Sequence, residues 1–306
     1  MLGEERIAIL GLRGSGKTTF LSVLNLALTQ KNSPWRIRPV GDSSIRTLSQ
    51  LQENLFVQGR YPEGTQVEDS IIFLVEKEAK LLGLQPGASF HIYIADVPGE
   101  AVKGRSGSPI YHEFYEQTLK GCSGIIFLLD PQEYWLNDSI DKNIDAYFPL
   151  FSSILAEIKE QAREDVFIAF CITKLDAILP ANSDFASHGV LKDIEILAER
   201  IIGRNTKNLI DNHFDSDHIS WFPVSSTGYL TEGDQKATQF FIKEESDGSK
   251  RYSIKKPSLL TPIGIAEALE WILNSVTDYS EDSRIEKTRG KKYSEMIRSI
   301  RKLFDR

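Results

Sequence analysis

The feature that most constrains this chain is a glycine-rich motif that directly follows an apolar run near its start. Residues 6–11 read RIAILG, which predicts a buried strand, and residues 11–18 read GLRGSGKT. Glycines let the backbone turn sharply so that several N–H groups point at one phosphate, and a helix that begins at Lys17 adds the positive end of its dipole. Apolar side chains then recur with helical spacing at Phe20, Leu21, Leu24 and Leu28. The segment therefore predicts a strand, a phosphate-binding loop and a helix.

The polar residues of this loop have distinct roles in phosphate binding. The Lys17 ammonium can reach the β- and γ-phosphates of a nucleotide, and the Thr18 hydroxyl can ligate Mg²⁺. The predicted nucleotide-binding residues of the loop are Arg13, Gly14, Ser15, Gly16, Lys17, Thr18 and Thr19. A glycine-rich turn without a ligand is the alternative, but a strand before the motif and a helix after it are the context that phosphate binding needs. The loop alone does not choose between ATP and GTP.

Two further segments carry groups suited to Mg²⁺ and to the γ-phosphate. Asp96 closes a predicted strand and Gly99 follows three residues later. A carboxylate at a strand end can hold the hydration shell of the metal, and a glycine N–H can reach the γ-phosphate. Upstream, the Thr65 hydroxyl can bind the metal from a loop, a role for which Ser43 and Thr47 compete. The ordinary alternatives are a strand-end turn at Asp96 and a plain loop threonine at Thr65.

A third pair of segments is suited to base recognition. Residues 173–176 read TKLD after a predicted strand, and residues 223–228 read PVSSTG after the next one. Guanine presents its N1–H and its 2-amino group side by side, so one carboxylate can accept both bonds, and Asp176 suits that role. The aliphatic stem of Lys174 can cover the face of the base, and a backbone N–H near Ser226 can reach guanine O6. The predicted base-binding residues are Thr173, Lys174, Asp176, Ser225 and Ser226.

In this order and at these strand ends, the motifs resemble those of the P-loop GTPases of the translation-factor and Ras-like class. The resemblance covers residues 4–275, from the phosphate loop to the last core helix. Within that class, the PEGT at residues 62–65 and the IGIAEALEW at residues 263–271 look most like bacterial double-GTPase-type domains. The resemblance implies a nucleotide-dependent switch that binds Mg²⁺ and GTP and hydrolyses GTP slowly to GDP and phosphate. A protein effector that contacts the switch loops would then be its partner.

The resemblance also assigns catalytic and metal-binding roles. It implies that the catalytic residues are Lys17, Thr65, Gly99 and Glu100, and that the Mg²⁺ ligands are Thr18, Thr65 and Asp96. Three positions depart from the common pattern: Thr173 stands where Asn is usual, Glu100 where many members have a water-orienting Gln, and Arg13 where many have a small residue. Glu100 leaves open the alternative of a GTP-binding interaction module that does not hydrolyse GTP. Asp176 disfavours the other alternative, an ATP-dependent P-loop enzyme.

Alternating apolar and amphipathic segments predict an α/β fold, a three-layer P-loop G domain with a mostly parallel six-stranded sheet. The predicted strands are 6–11, 71–76, 90–96, 124–129, 166–173 and 219–224, and the predicted helices are 17–28, 43–54, 140–160, 191–202 and 263–273. The strands at 71–76 and 90–96 are expected to be antiparallel. The predicted G domain spans residues 1–277, with a switch-loop insertion at 31–66 and a hairpin insertion at 228–262. Residues 278–306 are predicted to be a basic amphipathic helical tail.

Composition narrows the classes of partner and compartment. The net charge is −7, from 36 basic and 43 acidic residues, which argues against a nucleic-acid-binding surface. Cys122 and Cys171 stand in apolar runs and predict reduced, buried thiols in a cytoplasmic protein. No apolar run has the length of a membrane-spanning helix, and the start of the chain does not resemble a secretory signal. The tail at residues 278–306 suits an acidic partner or an anionic membrane, and packing on its own acidic domain is the alternative.

Overall fold

The computed structural model of the protein describes residues 5–11, 14–61, 71–78, 89–94, 119–131, 148–232, 235–244 and 250–280. A seven-stranded sheet forms the centre of this described part, in the spatial order β2-β3-β4-β1-β5-β6-β7. Its strands are β1 (Glu5–Gly11), β2 (Trp35–Pro39), β3 (Ile72–Lys77), β4 (Ser89–Ile94), β5 (Cys122–Leu129), β6 (Phe167–Ile172) and β7 (Ile219–Pro223). The five strands from β4 to β7 run parallel, and β2, β3 and β4 pair antiparallel. The expected antiparallel pair is confirmed.

The sheet has seven strands rather than the six predicted, and β2 is the additional one. Trp35 and Ile37 are buried, while Arg36 and Arg38 are exposed and form ion pairs with glutamates of the neighbouring chain segment. β2 lies at an edge of the sheet, and edge strands commonly carry charged side chains. Five residues with two arginines and a closing Pro39 do not give the continuous apolar run by which the other strands were recognised.

Helices cover both faces of the sheet and make the predicted three layers. They are α1 (Lys17–Gln30), α2 (Gly41–Gln52), α3 (Phe148–Gln161), α4 (Leu175–Ile178), α5 (Asp184–His188), α6 (Ile194–Ile202), α7 (Arg204–His213) and α8 (residues 265–280). Alternate residues of β1 point to opposite faces: Ile7 and Ile9 belong to the core under α1, α2 and α8, and Ala8 and Leu10 to the core under α3, α6 and α7. β1 is therefore buried on both faces, which fixes the position of the loop that follows it.

The predicted hairpin before the last helix is confirmed. β10 (Phe240–Glu244) and β11 (Lys250–Ile254) pair antiparallel, and a second pair, β8 (Tyr229–Glu232) with β9 (Gln235–Thr238), precedes them. The two ends of the insertion are joined because Ser225 N–H donates to the Ile263 carbonyl at 3.0 Å and Ile263 N–H returns a bond at 2.8 Å. The insertion therefore leaves from, and returns to, the chain segment that follows β7.

Both cysteines are fully buried thiols on β5 and β6, and neither forms a disulfide. Burial raises the pKa of Cys122 to about 12 and raises the pKa of Cys171 as well, so neither thiol ionises readily. None of the helices in the described part of the chain is long and apolar enough to cross a membrane. α8 extends to residue 280, and residues 281–306 lie outside the described ranges, so the domain boundary at 277 and the helical tail stay predictions.

Candidate functional site

The predicted phosphate loop joins β1 to α1 at the carboxyl edge of the central parallel strands. Gly14 and Gly16 have φ of +82° and +89°, and a Cβ on either would meet no atom within 4 Å. These residues therefore adopt the left-handed conformation that glycine tolerates best, and the space beside them is open. A Cβ on Gly11 would lie 2.5 Å from Ser15 Oγ, so the loop is closely packed beneath. The helix begins with Phe20 N–H donating to the Gly16 carbonyl at 2.8 Å.

Two side chains of the loop carry polar groups that a phosphate can engage. Lys17 is only 5% exposed, and its Nζ donates to the Gly11 carbonyl at 2.5 Å, which holds the ammonium inside the turn of the loop. Ser15 Oγ is buried and has no hydrogen-bond partner among the described residues. A buried polar atom without a partner is costly, so Ser15 is a group that a ligand could satisfy.

The Thr18 hydroxyl fits the predicted metal site by its chemistry and its place. Thr18 is partly exposed in the first turn of α1, and its carbonyl accepts a bond from Ser22 Oγ at 2.8 Å, while Thr19 is buried. The described residues contain no cluster of three or more His, Cys, Asp or Glu that would hold a metal by themselves. Five predicted site residues lie outside the described ranges: Arg13, Thr65, Asp96, Gly99 and Glu100.

Thr173 ties the end of β6 to the phosphate loop. Its hydroxyl lies 2.9 Å from the Ser15 carbonyl and 2.9 Å from the Leu129 carbonyl, and the residue is 3% exposed. One hydroxyl has one proton, so it is shared between these acceptors or alternates between them. One acceptor belongs to the phosphate loop and the other to the end of β5, so Thr173 connects the two. That Thr173 also binds the nucleotide stays a prediction.

Lys174 follows in the left-handed conformation, with φ of 55°, and is the N-cap of α4. Its Nζ lies 2.6 Å from Asp130 Oδ2, just beyond β5, and both side chains are partly buried. The ion pair directs the lysine stem along the carboxyl ends of β5 and β6. Asp130 was not among the predicted residues, although its place directly after the apolar strand at 124–129 was a usable signal.

The Asp176 carboxylate is 5% exposed and is held by two hydroxyls. Ser225 Oγ donates to Oδ1 at 2.6 Å, and Thr227 Oγ1 donates to Oδ2 at 2.9 Å. Burial raises the pKa of Asp176, and the two hydroxyl bonds oppose that rise. Each carboxylate oxygen keeps a lone pair for another donor. Ser226, between the two hydroxyl residues, is partly exposed, so its backbone position stays compatible with the predicted contact to a base.

Sequence reasoning missed two residues beside this carboxylate. Thr227 lies two positions after Ser225, and a pair of hydroxyls at that spacing could have indicated a shared target. Tyr61 offered no such local signal, yet its hydroxyl lies 3.4 Å from Thr227 Oγ1 across 166 positions of sequence. Burial, and to a lesser degree the charge of Asp176, raises the pKa of Tyr61, so the phenol keeps its proton. Arg60 next to it is exposed and is part of a bridge with Ser253.

The site combines a phosphate loop between β1 and α1 with an aspartate after β6 whose carboxylate accepts hydrogen bonds from two hydroxyls. These are the features of P-loop GTPase domains. The chain belongs to the Double-GTPase 2 family, whose model matches residues 5–228. The match confirms the resemblance predicted from the motifs. It ends at Gly228, immediately before β8.

Solved structures of GTP-binding proteins resemble the fold more distantly. The GTPase-like domain of Ski7 from S. cerevisiae, bound to GTP, is 15% identical with a TM-score of 0.41 over 77% of this chain and 47% of that one. The SRb–GTP/SRX complex from Chaetomium thermophilum is 12% identical with a TM-score of 0.37 over 76% and 94%. A candidate nucleolar GTP-binding protein 1 from Plasmodium falciparum is 13% identical with a TM-score of 0.41 over 95% and 96%. This chain spans about half the length of the Ski7 structure. No curated protein matches the sequence.

Proposed function

We propose that the protein is a molecular switch that binds GTP with Mg²⁺ and hydrolyses it slowly to GDP and phosphate. The observation that carries the proposal is the buried Asp176 carboxylate, held by Ser225 and Thr227 at the same sheet edge as the phosphate loop. Keeping a carboxylate out of water is unfavourable unless donors satisfy it. Guanine offers two adjacent N–H donors for the remaining lone pairs, and adenine does not.

In this proposal the site has two ends, one that binds the phosphates and one that binds the base. Lys17 can neutralise phosphate charge, and the N–H groups of the glycine-rich loop and of the first turn of α1 would donate to the phosphate oxygens. Thr18 would hold Mg²⁺, which supplies charge neutralisation between the phosphates. Thr173 keeps the loop and the base-binding segment in register through its bond to the Ser15 carbonyl. Contacts from Thr65, Asp96, Gly99 and Glu100 complete the proposal as predicted from the sequence.

Nucleotide selectivity tests the proposal directly. The affinities of GDP, ADP and XDP are measured by competition in the parent protein, in Asp176→Asn and in the exposed control Asp215→Asn. The parent is expected to prefer GDP over ADP by about 10⁴–10⁵-fold, because a site built for paired hydrogen bonds rejects a base that lacks them. Asp176→Asn should weaken GDP and improve XDP, since the amide donates where xanthine accepts. Equal affinities of the parent for GDP and ADP would overturn the proposal.

Hydrolysis is tested separately, because binding does not require it. Single-turnover phosphate release is measured in the parent, Arg13→Gly and Glu100→Gln proteins, with a rate of about 10⁻⁴–10⁻³ s⁻¹ expected for the parent. No phosphate release over many hours, with GTP still bound, would favour a binding module without hydrolysis. A parent rate of several per second in the absence of any partner would contradict the slow switch.

A further inference from the structure

A chain of three side chains leads from Tyr61 to the carboxylate that faces the base. The Tyr61 hydroxyl lies 3.4 Å from Thr227 Oγ1, which in turn lies 2.9 Å from Asp176 Oδ2. Tyr61 packs against the hydrophobic core on the α1 side of the sheet, so the position of its ring is fixed by packing. These three side chains all lie at the end of the site that is proposed to bind the base.

The proton positions in this chain follow from the number of donors. An ionised Asp176 carboxylate only accepts hydrogen bonds, so the single Thr227 hydroxyl proton is used on Oδ2. The Thr227 oxygen can then only accept from Tyr61, whose phenol keeps its proton because burial and the nearby carboxylate raise its pKa. Consecutive hydrogen bonds that point in the same direction polarise each other. The Tyr61 phenol therefore strengthens the hydrogen bond from Thr227 to Asp176 Oδ2.

The hairpin insertion holds Tyr61 in place. Gly59 O accepts from Ile254 N–H at 2.8 Å, and Arg60 forms an antiparallel bridge with Ser253, so β11 pairs with the two residues before Tyr61. The other end of the insertion returns to the base-binding segment, where Thr261 N–H donates to the Thr227 carbonyl at 3.2 Å. The two residues before Tyr61, and Thr227 itself, are therefore both bonded to the main chain of the same insertion.

We propose that Tyr61 is a specificity-positioning residue, which orients Asp176 toward guanine through Thr227 and is itself held by the hairpin insertion. The proposal rests on guanine recognition by Asp176, as stated in the proposed function. A carboxylate must present both oxygens in the plane of the base to accept from N1–H and from the 2-amino group together. If Oδ2 is held less firmly, the carboxylate presents its two oxygens less often in this paired geometry. The affinity then falls for a base that uses both bonds.

The test compares GDP with IDP, whose base keeps N1–H and O6 and lacks only the 2-amino group. The ratio of the two affinities is measured in the parent, Tyr61→Phe, Thr227→Val and the double variant. Tyr61→Phe is expected to reduce the preference for GDP by about two- to fivefold, the effect of one neutral hydrogen bond. The double variant should match Thr227→Val alone, because Tyr61 acts only through the Thr227 hydroxyl.

Two controls separate this role from a general loss of stability. Tyr229→Phe removes another buried phenol, which donates to the Leu179 carbonyl at 3.1 Å, and should leave the GDP-to-IDP ratio unchanged even if unfolding becomes easier. Thr227→Ser keeps the hydroxyl, so it should keep both the parent ratio and the effect of Tyr61→Phe. An unchanged ratio in Tyr61→Phe, or additive losses in the double variant, would overturn the inference and leave the proposed function intact. A parent protein that binds no guanine nucleotide would overturn both.

Discussion

Thr173 shows how a single residue at a strand end connects two parts of a site. Its hydroxyl reaches the Ser15 carbonyl at 2.9 Å, across 158 positions of sequence, and so joins the phosphate loop to the base-binding half of the site. We predict that Thr173→Val lowers the free energy of unfolding by about 1 kcal/mol and speeds GDP dissociation about fivefold, because the loop loses one hydrogen bond that orders it. Urea unfolding and stopped-flow nucleotide release measure the two effects.

The matched control for this prediction is Thr206→Val on α7. Thr206 is also buried, but its Oγ1 has no hydrogen-bond partner among the described residues, so loss of that hydroxyl should leave the free energy of unfolding unchanged or raise it. Equal losses of stability in the two variants would show that the Thr173 hydroxyl bond contributes nothing beyond the change of a buried threonine to valine.

The burial of Asp176 predicts that the free energy of unfolding depends on pH in the absence of nucleotide. Burial raises the pKa of this carboxyl in the folded protein, so the folded state keeps the proton to higher pH than the unfolded chain does. The free energy of unfolding is therefore highest below the pKa that the carboxyl has in the unfolded chain. It falls as the pH rises from that value through the raised pKa of the folded protein. Asp176→Asn cannot ionise, so its free energy of unfolding relative to the parent should increase as the pH rises above the ordinary pKa of an aspartate, about 3.9.

Urea unfolding at a series of pH values measures that difference, with Asp215→Asn, an exposed aspartate, as the reference. A relative stability of Asp176→Asn that stays flat or falls as the pH rises would show that Ser225 and Thr227 outweigh the burial of the charge. The prediction also separates stability from function, because the variant whose relative stability is expected to rise with pH is the one expected to bind GDP poorly.

Among the elements, the hairpin insertion and the segment before Tyr61 depend on each other through Gly59. Gly59 has φ of +64°, and a Cβ there would lie 2.8 Å from Pro257 Cγ. We predict that Gly59→Ala lowers the free energy of unfolding by at least about 1 kcal/mol more than Gly121→Ala does. Gly121 has a similar φ of +69° but open space around it, so its substitution costs only the left-handed conformation.

Thermal and urea unfolding of the two glycine variants provide the comparison. If both substitutions had the same cost, the contact between Gly59 and Pro257 would be loose, and the insertion would not be fixed firmly to this segment. A larger cost for Gly59→Ala supports close packing between the π-helical turn at Glu53–Val57 and the 3₁₀ turn at Pro257–Leu259, the two short elements that meet there.

For the whole molecule, nucleotide binding should appear as added stability. Ligand at about 100 times its dissociation constant adds about 2.7 kcal/mol to the free energy of unfolding, which corresponds to an increase in Tm of about 5 °C. In Lys17→Ala the increase at the same Mg²⁺ and GTP concentrations should largely disappear, because the buried ammonium that neutralises the phosphates is gone. Differential scanning fluorimetry with and without Mg·GTP measures the shift.

Lys255→Ala is the control for this experiment, because Lys255 is exposed on the chain that follows β11. It should keep the full increase in Tm on addition of Mg·GTP. The comparison within each variant, with and without ligand, removes any change that Lys17→Ala makes to the protein without nucleotide. An equal shift in the parent and in Lys17→Ala would exclude Lys17 from the binding of the phosphates.

The sequence by itself determined the elements that depend on near neighbours. The glycine loop, the apolar runs of β1, β5 and β6 and the helical spacing of α1 are local patterns, and their strands and helix were predicted within a few residues of their ends. Asp176 was also recognised from its place after a strand. β2 was missed because an edge strand mixes arginines with its two buried residues, Trp35 and Ile37.

Only the tertiary structure decided which groups act on Asp176 and on the phosphate loop. Thr173 meets Ser15, Thr227 meets Asp176, and Tyr61 meets Thr227 at separations of 158, 51 and 166 positions in the chain. Such partners are set by how the strands are ordered in the sheet and by where the hairpin insertion returns. A local pattern records the secondary structure that a segment prefers, but a hydrogen bond between distant hydroxyls exists only once the packed core has brought their strands together.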